Sequence, residues 1–226
     1  MSTAKELSTR RDPWLWAATL AGVATLPLAL AGSMLSDTAG GANLNPGSPD
    51  AELLEVFVDY RGRQLVAASL FAAGTAAQLV FLGPLWARLR TGSEWLAVVA
   101  VAGGVAAGVL WVAIGAGGAL ASAVAADYND ADAARFLMVY GWEIGRVTVA
   151  PYLVMVAAAT VAGIQHHVFG SRFNTFGVAF SALLVLGLFP ASPAGLMGMV
   201  ATVWVVVASL ILAFGKDPGP GPLHEG

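Results

Sequence analysis

Glu143 and Arg146 stand three residues apart where the chain turns apolar. That spacing puts two opposite charges on one helical face and lets them pair. Pro151 follows, removing one backbone hydrogen bond and implying a kink. A second polar group, Asp59, Tyr60, Arg61, Arg63 and Gln64, stands at the start of another apolar run. Ionisable groups in or beside membrane spans are costly and are functional positions by default. Arg61, Arg63, Tyr140, Glu143 and Arg146 therefore read as one ligand-holding cluster. Gln78 joins this site set as the only amide near the middle of a run. The competing reading is structural: an interfacial layer of salt bridges with arginines snorkelling outward, and Gln78 bonding across helices.

No other catalytic or metal chemistry is visible. His166 and His167 are adjacent, so on a helix they point apart, and they read with Arg172 as a solvated loop. There is no G-x-S-x-G elbow, no H-E-x-x-H and no P-loop. No histidines fall in two different spans, as a bis-His haem would need. The absence of Cys removes thiol nucleophiles, disulfides and Cys-ligated metal. No catalytic residue, metal or cofactor is assigned, and a non-enzymatic protein is the preferred reading.

These residues are positioned by long apolar stretches. The chain has 226 residues, 58% hydrophobic and 11% charged, with mean hydropathy +0.74. A soluble domain carries about 25% charged residues, so lipid must solvate much of this surface. Spans of about 20 residues are expected near 14–35, 65–87, 96–125, 145–164, 175–189 and 196–214. The fold class is all-α: a six-span polytopic transmembrane bundle in one domain, 1–214. Pro190 and Pro193 mark a tight connection between the last two spans. The tail 215–226, rich in Gly and Pro, is expected to be disordered.

Orientation follows from Lys and Arg. With the N-terminus inside, Lys5, Arg10, Arg11, Arg88, Arg90, Arg172 and Lys216 are cytoplasmic, against Arg61, Arg63, Arg135 and Arg146 outside. The acids Asp37, Asp50, Glu52, Glu55, Asp59, Asp127, Asp130 and Asp132 fall outside. Both termini are then cytoplasmic. A rival reading makes Arg10, Arg11 and the run to Ala29-Leu30-Ala31 a signal peptide, but the run is longer than a signal core. The net charge of −3 gives no reason to expect nucleic acid.

A tandem repeat of two-helix hairpins is also expected. Asp50-Ala51-Glu52 and Tyr60 match Asp130-Ala131-Asp132 and Tyr140 at an offset of 80. Trp14-Leu15 and Ala21-Gly22 match Trp95-Leu96 and Ala102-Gly103 at 81. Ser48 should cap a helix with Pro49 in its first turn, and Asn129 or Asp130 a second. From Ala131 to Ile164 is 34 residues, about 51 Å of helix, which exceeds the bilayer. Leu53, Leu54, Phe57, Phe136 and Leu137 then need cover beyond the hydrocarbon. Gly104 and Gly108 form a GxxxG pattern for close packing, within the bundle or in a dimer. Trp14, Trp86, Trp95 and Trp142 suit interface belts. Thr25, Thr160 and Ser181 are expected to satisfy themselves on the backbone.

The basic turn Leu85-Trp86-Ala87-Arg88-Leu89-Arg90 and the segment Ala102-Gly103-Gly104-Val105-Ala106-Ala107-Gly108 resemble the uncharacterised actinobacterial DUF4386-like membrane proteins. The likeness rests on composition and layout over most of the chain. It implies six spans and brings no activity with it. The leading expectation is an integral protein of a bacterial plasma (inner) membrane, acting as a partner or small-molecule-responsive module through the polar cluster at the outer ends of spans two and four. The alternatives are a small-solute transporter or channel and a membrane enzyme acting on lipid or quinone. Expected partners are the lipid bilayer, a second copy or another membrane protein, and a small apolar or amphipathic ligand.

Overall fold

Backbone in oil must satisfy its own hydrogen bonds, and helices do so within one segment. The computed structural model describes residues 13–39, 44–189 and 194–214, excepting the side chains of 37–39 and 194–197. Among the described residues every regular element is helical: α1 (Pro13–Ala39), α2 (Asp50–Asp59), α3 (Arg61–Leu89), α4 (Glu94–Tyr128), α5 (Ala131–Val147), α6 (Val149–His166), α7 (Ser171–Gly187) and α8 (Ala194–Phe214). Four stretches among the described residues are long and apolar enough to cross a membrane: Pro13–Ser36, Arg61–Leu89, Glu94–Tyr128 and the combined α5–α6 rod Ala131–His166. Ser171–Gly187 and Gly198–Phe214 are apolar but shorter. The expectations about the N-terminal segment, Pro190, Pro193 and the tail fall outside the described residues.

Helices occupy all six expected stretches, with shifted bounds. Span two lengthens to Arg61–Leu89 and span three to Glu94–Tyr128. The expected start of span four near Gly145 lies inside α5, and the break falls at Thr148. Pro151 has no N–H for the carbonyl four residues back, that of Val147, so regular helix fails just there. Thr148, at the break, gives both its backbone N–H (3.0 Å) and its hydroxyl (2.8 Å) to Ile144 O. At Asp130 the expected cap is present: its carboxylate accepts from Ala133 N at 2.9 Å. Ser48 departs from expectation. Its hydroxyl accepts from Asn45 N at 3.1 Å, within its own turn, and Pro49 takes the cap position of α2 without a side-chain bond.

The helices pack as a closed ring: α1 on α3, α3 on α4, α4 on α6, α6 on α7, and α8 back on α7 and α1. The main core lies inside it, with Phe81, Leu85, Tyr152, Met155 and Trp204 fully buried. Glycines on α4 set the spacing. A Cβ at Gly103 would sit 2.7 Å from Pro151 O and Met155 N, so α4 and α6 touch backbone to backbone. Gly104 and Gly108 face Leu82 and Thr75 of α3. The GxxxG pattern therefore serves contacts within the bundle.

Antiparallel order gathers α2, the end of α4 and the start of α5 at one end, which is acidic. Arg88, Arg90 and Arg172 gather at the other. A small second core at the acidic end joins Leu53, Phe57, Ala121, Ala125, Ala134 and Met138, giving Leu53 and Phe57 their cover. Phe136 stays 67% exposed, stacked on Tyr140 at 6.2 Å.

Candidate functional site

The six candidate residues divide into two environments. Arg61 and Arg63 lie toward the acidic end, whereas Tyr140, Glu143 and Arg146 lie on the second half of α5, where Gly141 faces Ile114 halfway along α4; the five do not form one cluster. Arg61 pairs with Asp127 at the end of α4, Nη1 to Oδ1 at 2.8 Å and Nη2 to Oδ2 at 3.1 Å. Arg63 lies over the Tyr60 ring, 4.8 Å from its centroid. Arg146 meets Glu143 at 3.4 Å, as their spacing predicts, with both side chains more than half exposed. Tyr140 is exposed beside Phe136. Among the described residues no ion pair links Arg61 or Arg63 to Glu143. Helical spacing says which residues share a face, but not which helix that face meets, and Arg61 meets α4. Arg135, outside the candidate set, makes the more elaborate contact there. It donates to Pro46 O at 2.8 Å and Ser48 O at 3.0 Å, and it pairs with Asp50. These bonds tie the loop before α2 to α5.

Gln78 is different. It lies halfway along α3, 1% exposed, on the buried stripe Phe71, Gly74, Thr75, Gln78, Phe81 and Leu82. Its Nε2 donates to Gly104 O at 2.8 Å. Its Oε1 accepts from the Tyr152 hydroxyl at 2.7 Å. Thr75 donates to Gly108 O at 3.2 Å. The α4 glycines thus admit polar side chains of α3 to the α4 backbone itself, a closer purpose than packing alone. Gln78 is the three-way junction of α3, α4 and α6.

Beside this junction lies a cavity of about 10 Å³, lined by Thr25 and Ala29 of α1, Phe71, Gly74, Thr75 and Gln78 of α3, Trp111 of α4, Tyr152 of α6 and Thr202 of α8. Two buried polar atoms there make no hydrogen bond, Thr25 Oγ1 and Trp111 Nε1. The indole nitrogen lies near the Tyr152 hydroxyl without reaching bonding geometry. No protein-family model matches the chain, and no curated protein or solved structure shows significant similarity to it. Its chemistry is read from these residues alone. The arrangement is neutral throughout: amide, phenol, indole and threonine hydroxyls. It suits recognition of a small uncharged polar group.

Sequence reasoning reached Gln78 and missed its partners. Thr25 was expected to bond its own backbone, as Thr160 does to Val156 O at 2.7 Å and Ser181 to Gly177 O at 2.9 Å; Thr25 does not. Trp111 and Tyr152 carried a legible signal. Amphipathic aromatics favour the ends of spans, and these two stand in the middle of theirs.

Proposed function

We propose that this chain is a six-span protein of a bacterial plasma membrane, with both termini cytoplasmic. α7 and α8 supply the two short spans, α1–α3 and α4–α6 are tandem two-helix units, and the chain as a whole has the DUF4386-like layout. It acts as a non-enzymatic module that responds to a small neutral amphiphile. Gln78 and Tyr152 hold the ligand's polar group, and the charges at the acidic end clamp the hairpins together. One observation carries this reading: unpartnered Thr25 and Trp111 converge on a cavity beside the Gln78–Tyr152 bond. Pro27 in α1 and Pro151 in α6 stand close in sequence to Thr25 and Tyr152. Proline weakens a helix locally, so two walls of the cavity can move. A transporter reading uses the same Gln78 but needs a path through the bundle. A cavity of about 10 Å³ has room for roughly one water, so the helices would have to part.

Two experiments test this reading. Melting in detergent against a panel of neutral amphiphiles should show a saturable upward shift that Gln78→Leu abolishes and Glu143→Gln preserves. The reverse dependence would move the site to the Glu143–Arg146 pair on α5, and no shift at all would defeat the reading. For topology, the chain has no Cys, so Thr91→Cys and Asp132→Cys are unique labels. An impermeant maleimide on intact cells should label position 132 and spare 91; labelling of 91 would invert the map.

A further inference from the structure

A buried polar atom without a partner forfeits the bond it made to water. At the centre of this bundle two such atoms border one space. Trp111 Nε1 is a donor only, and Thr25 Oγ1 both donates and accepts. Thr25 is 3% exposed and Trp111 is 8% exposed, so neither reaches bulk solvent. Around them the bonding capacity is only partly used. The Tyr152 oxygen donates to Gln78 and keeps lone pairs free. Gln78 Nε2 donates one hydrogen to Gly104 O and has a second. No ionisable carboxylate, ammonium, imidazole or guanidinium lines the space, so an ion would find no counter-charge. The volume, about 10 Å³, matches about one water-sized probe.

We propose that the cavity between Thr25, Trp111 and Tyr152 is a binding site for one neutral, water-sized oxygen ligand, which accepts from the Trp111 N–H and bonds the Thr25 hydroxyl. Its occupant is a water molecule, or the hydroxyl of a short alcohol in its place. This rests on the ligand-centre reading above and names the chemistry of that centre. Amphiphiles in that reading would enter by displacing this occupant with their own oxygen.

The test needs no larger ligand, so its failure is separate from that of the proposed function. In the full-length protein in detergent, the Trp111 indole N–H resonance is assigned by its loss in Trp111→Phe. A through-space cross peak from this N–H to long-lived water is expected. Methanol titration should shift the same resonance saturably if alcohol displaces the water. Absence of both signals overturns the proposal. An independent readout uses Thr25→Val, which keeps shape and removes the hydroxyl. In a dry cavity the change deletes an unsatisfied polar group and raises the melting temperature. In an occupied cavity it strips a ligand partner, and the melting temperature falls by about 2 °C or more. Thr160→Val, at a threonine bonded to its own backbone, sets the baseline. A rise for Thr25→Val above that baseline overturns the site.

Discussion

The acidic end and the middle of the bundle join the same helices with opposite chemistry. At the end, α3 is tied to α4 by Arg61–Asp127, and α5 to the loop before α2 by Arg135. In the middle, α3 is tied to α4 and α6 through one neutral amide. The end uses full charges in positions water can reach: the Arg61 and Asp127 side chains are 41% and 49% exposed. Such pairs contribute about 0.2–1 kcal/mol each. The middle uses dipoles shut off from bulk solvent, and breaking one bond there strands its partner. Charge therefore marks where helices are clipped, and neutral polarity marks where a change of packing is felt.

The largest expected effect is at Gly103. Valine there would drive a side chain into the backbone of α6 at Pro151 and Met155, which cannot yield as a side chain does. The loss should be about 3 kcal/mol, read as a fall in melting temperature in detergent. An unchanged melting point would mean that α4 and α6 are further apart, and the Gln78 junction with them.

Next comes Gln78→Leu, which removes both bonds and leaves the Tyr152 hydroxyl buried without its acceptor. About 1–3 kcal/mol is expected. Bonds between membrane helices average about 0.6 kcal/mol, so the stranded hydroxyl makes up much of the effect. Adding Tyr152→Phe should then recover part of the loss, because it removes the stranded group. Simple additivity of the two variants would show that they do not share a bond.

Much of this layout was legible beforehand, and what was lost has a physical pattern. The apolar runs, the Asp130 cap and the Glu143–Arg146 pair are local properties, set by residues within a turn or two of each other. The break at Thr148 is half legible, since Pro151 announces a missing bond but apolarity alone starts the span at Gly145. The partner of Arg61 was not legible, because Asp127 lies 66 residues away and only the ring order of helices brings it near. Ser48 looked like a cap because its type suits one, yet the tight turn at Asn45 took its hydroxyl first. The mid-bundle site depends on five helices meeting, and of its polar members only Gln78 was singled out as a candidate.

Arg135→Ala sharpens the comparison from the charged side. Its side chain is 21% exposed, and it serves two carbonyls as well as Asp50. About 1–2 kcal/mol is expected, above a plain surface pair because carbonyls lose a charged donor. The effect should be local, with faster hydrogen exchange in residues 44–60 and little change around Gln78. A global loss equal to that of Gln78→Leu would erase the distinction between clip and core.

Glu143→Gln should do least. The partners sit on one helix at i,i+3, more than half exposed, where such pairs contribute about 0.2–0.5 kcal/mol. Glutamine keeps the length and a hydrogen-bond acceptor for Arg146, so even that contribution is not wholly lost. Melting should stay within about 2 °C of the parent protein, and the amphiphile response should be retained. Raising the ionic strength should shrink the difference further, since exposed charges are screened within about 10 Å at 0.1 M salt. A large, salt-insensitive loss would place Glu143 in a buried network, and this charged pair would then share the chemistry assigned to the middle of the bundle.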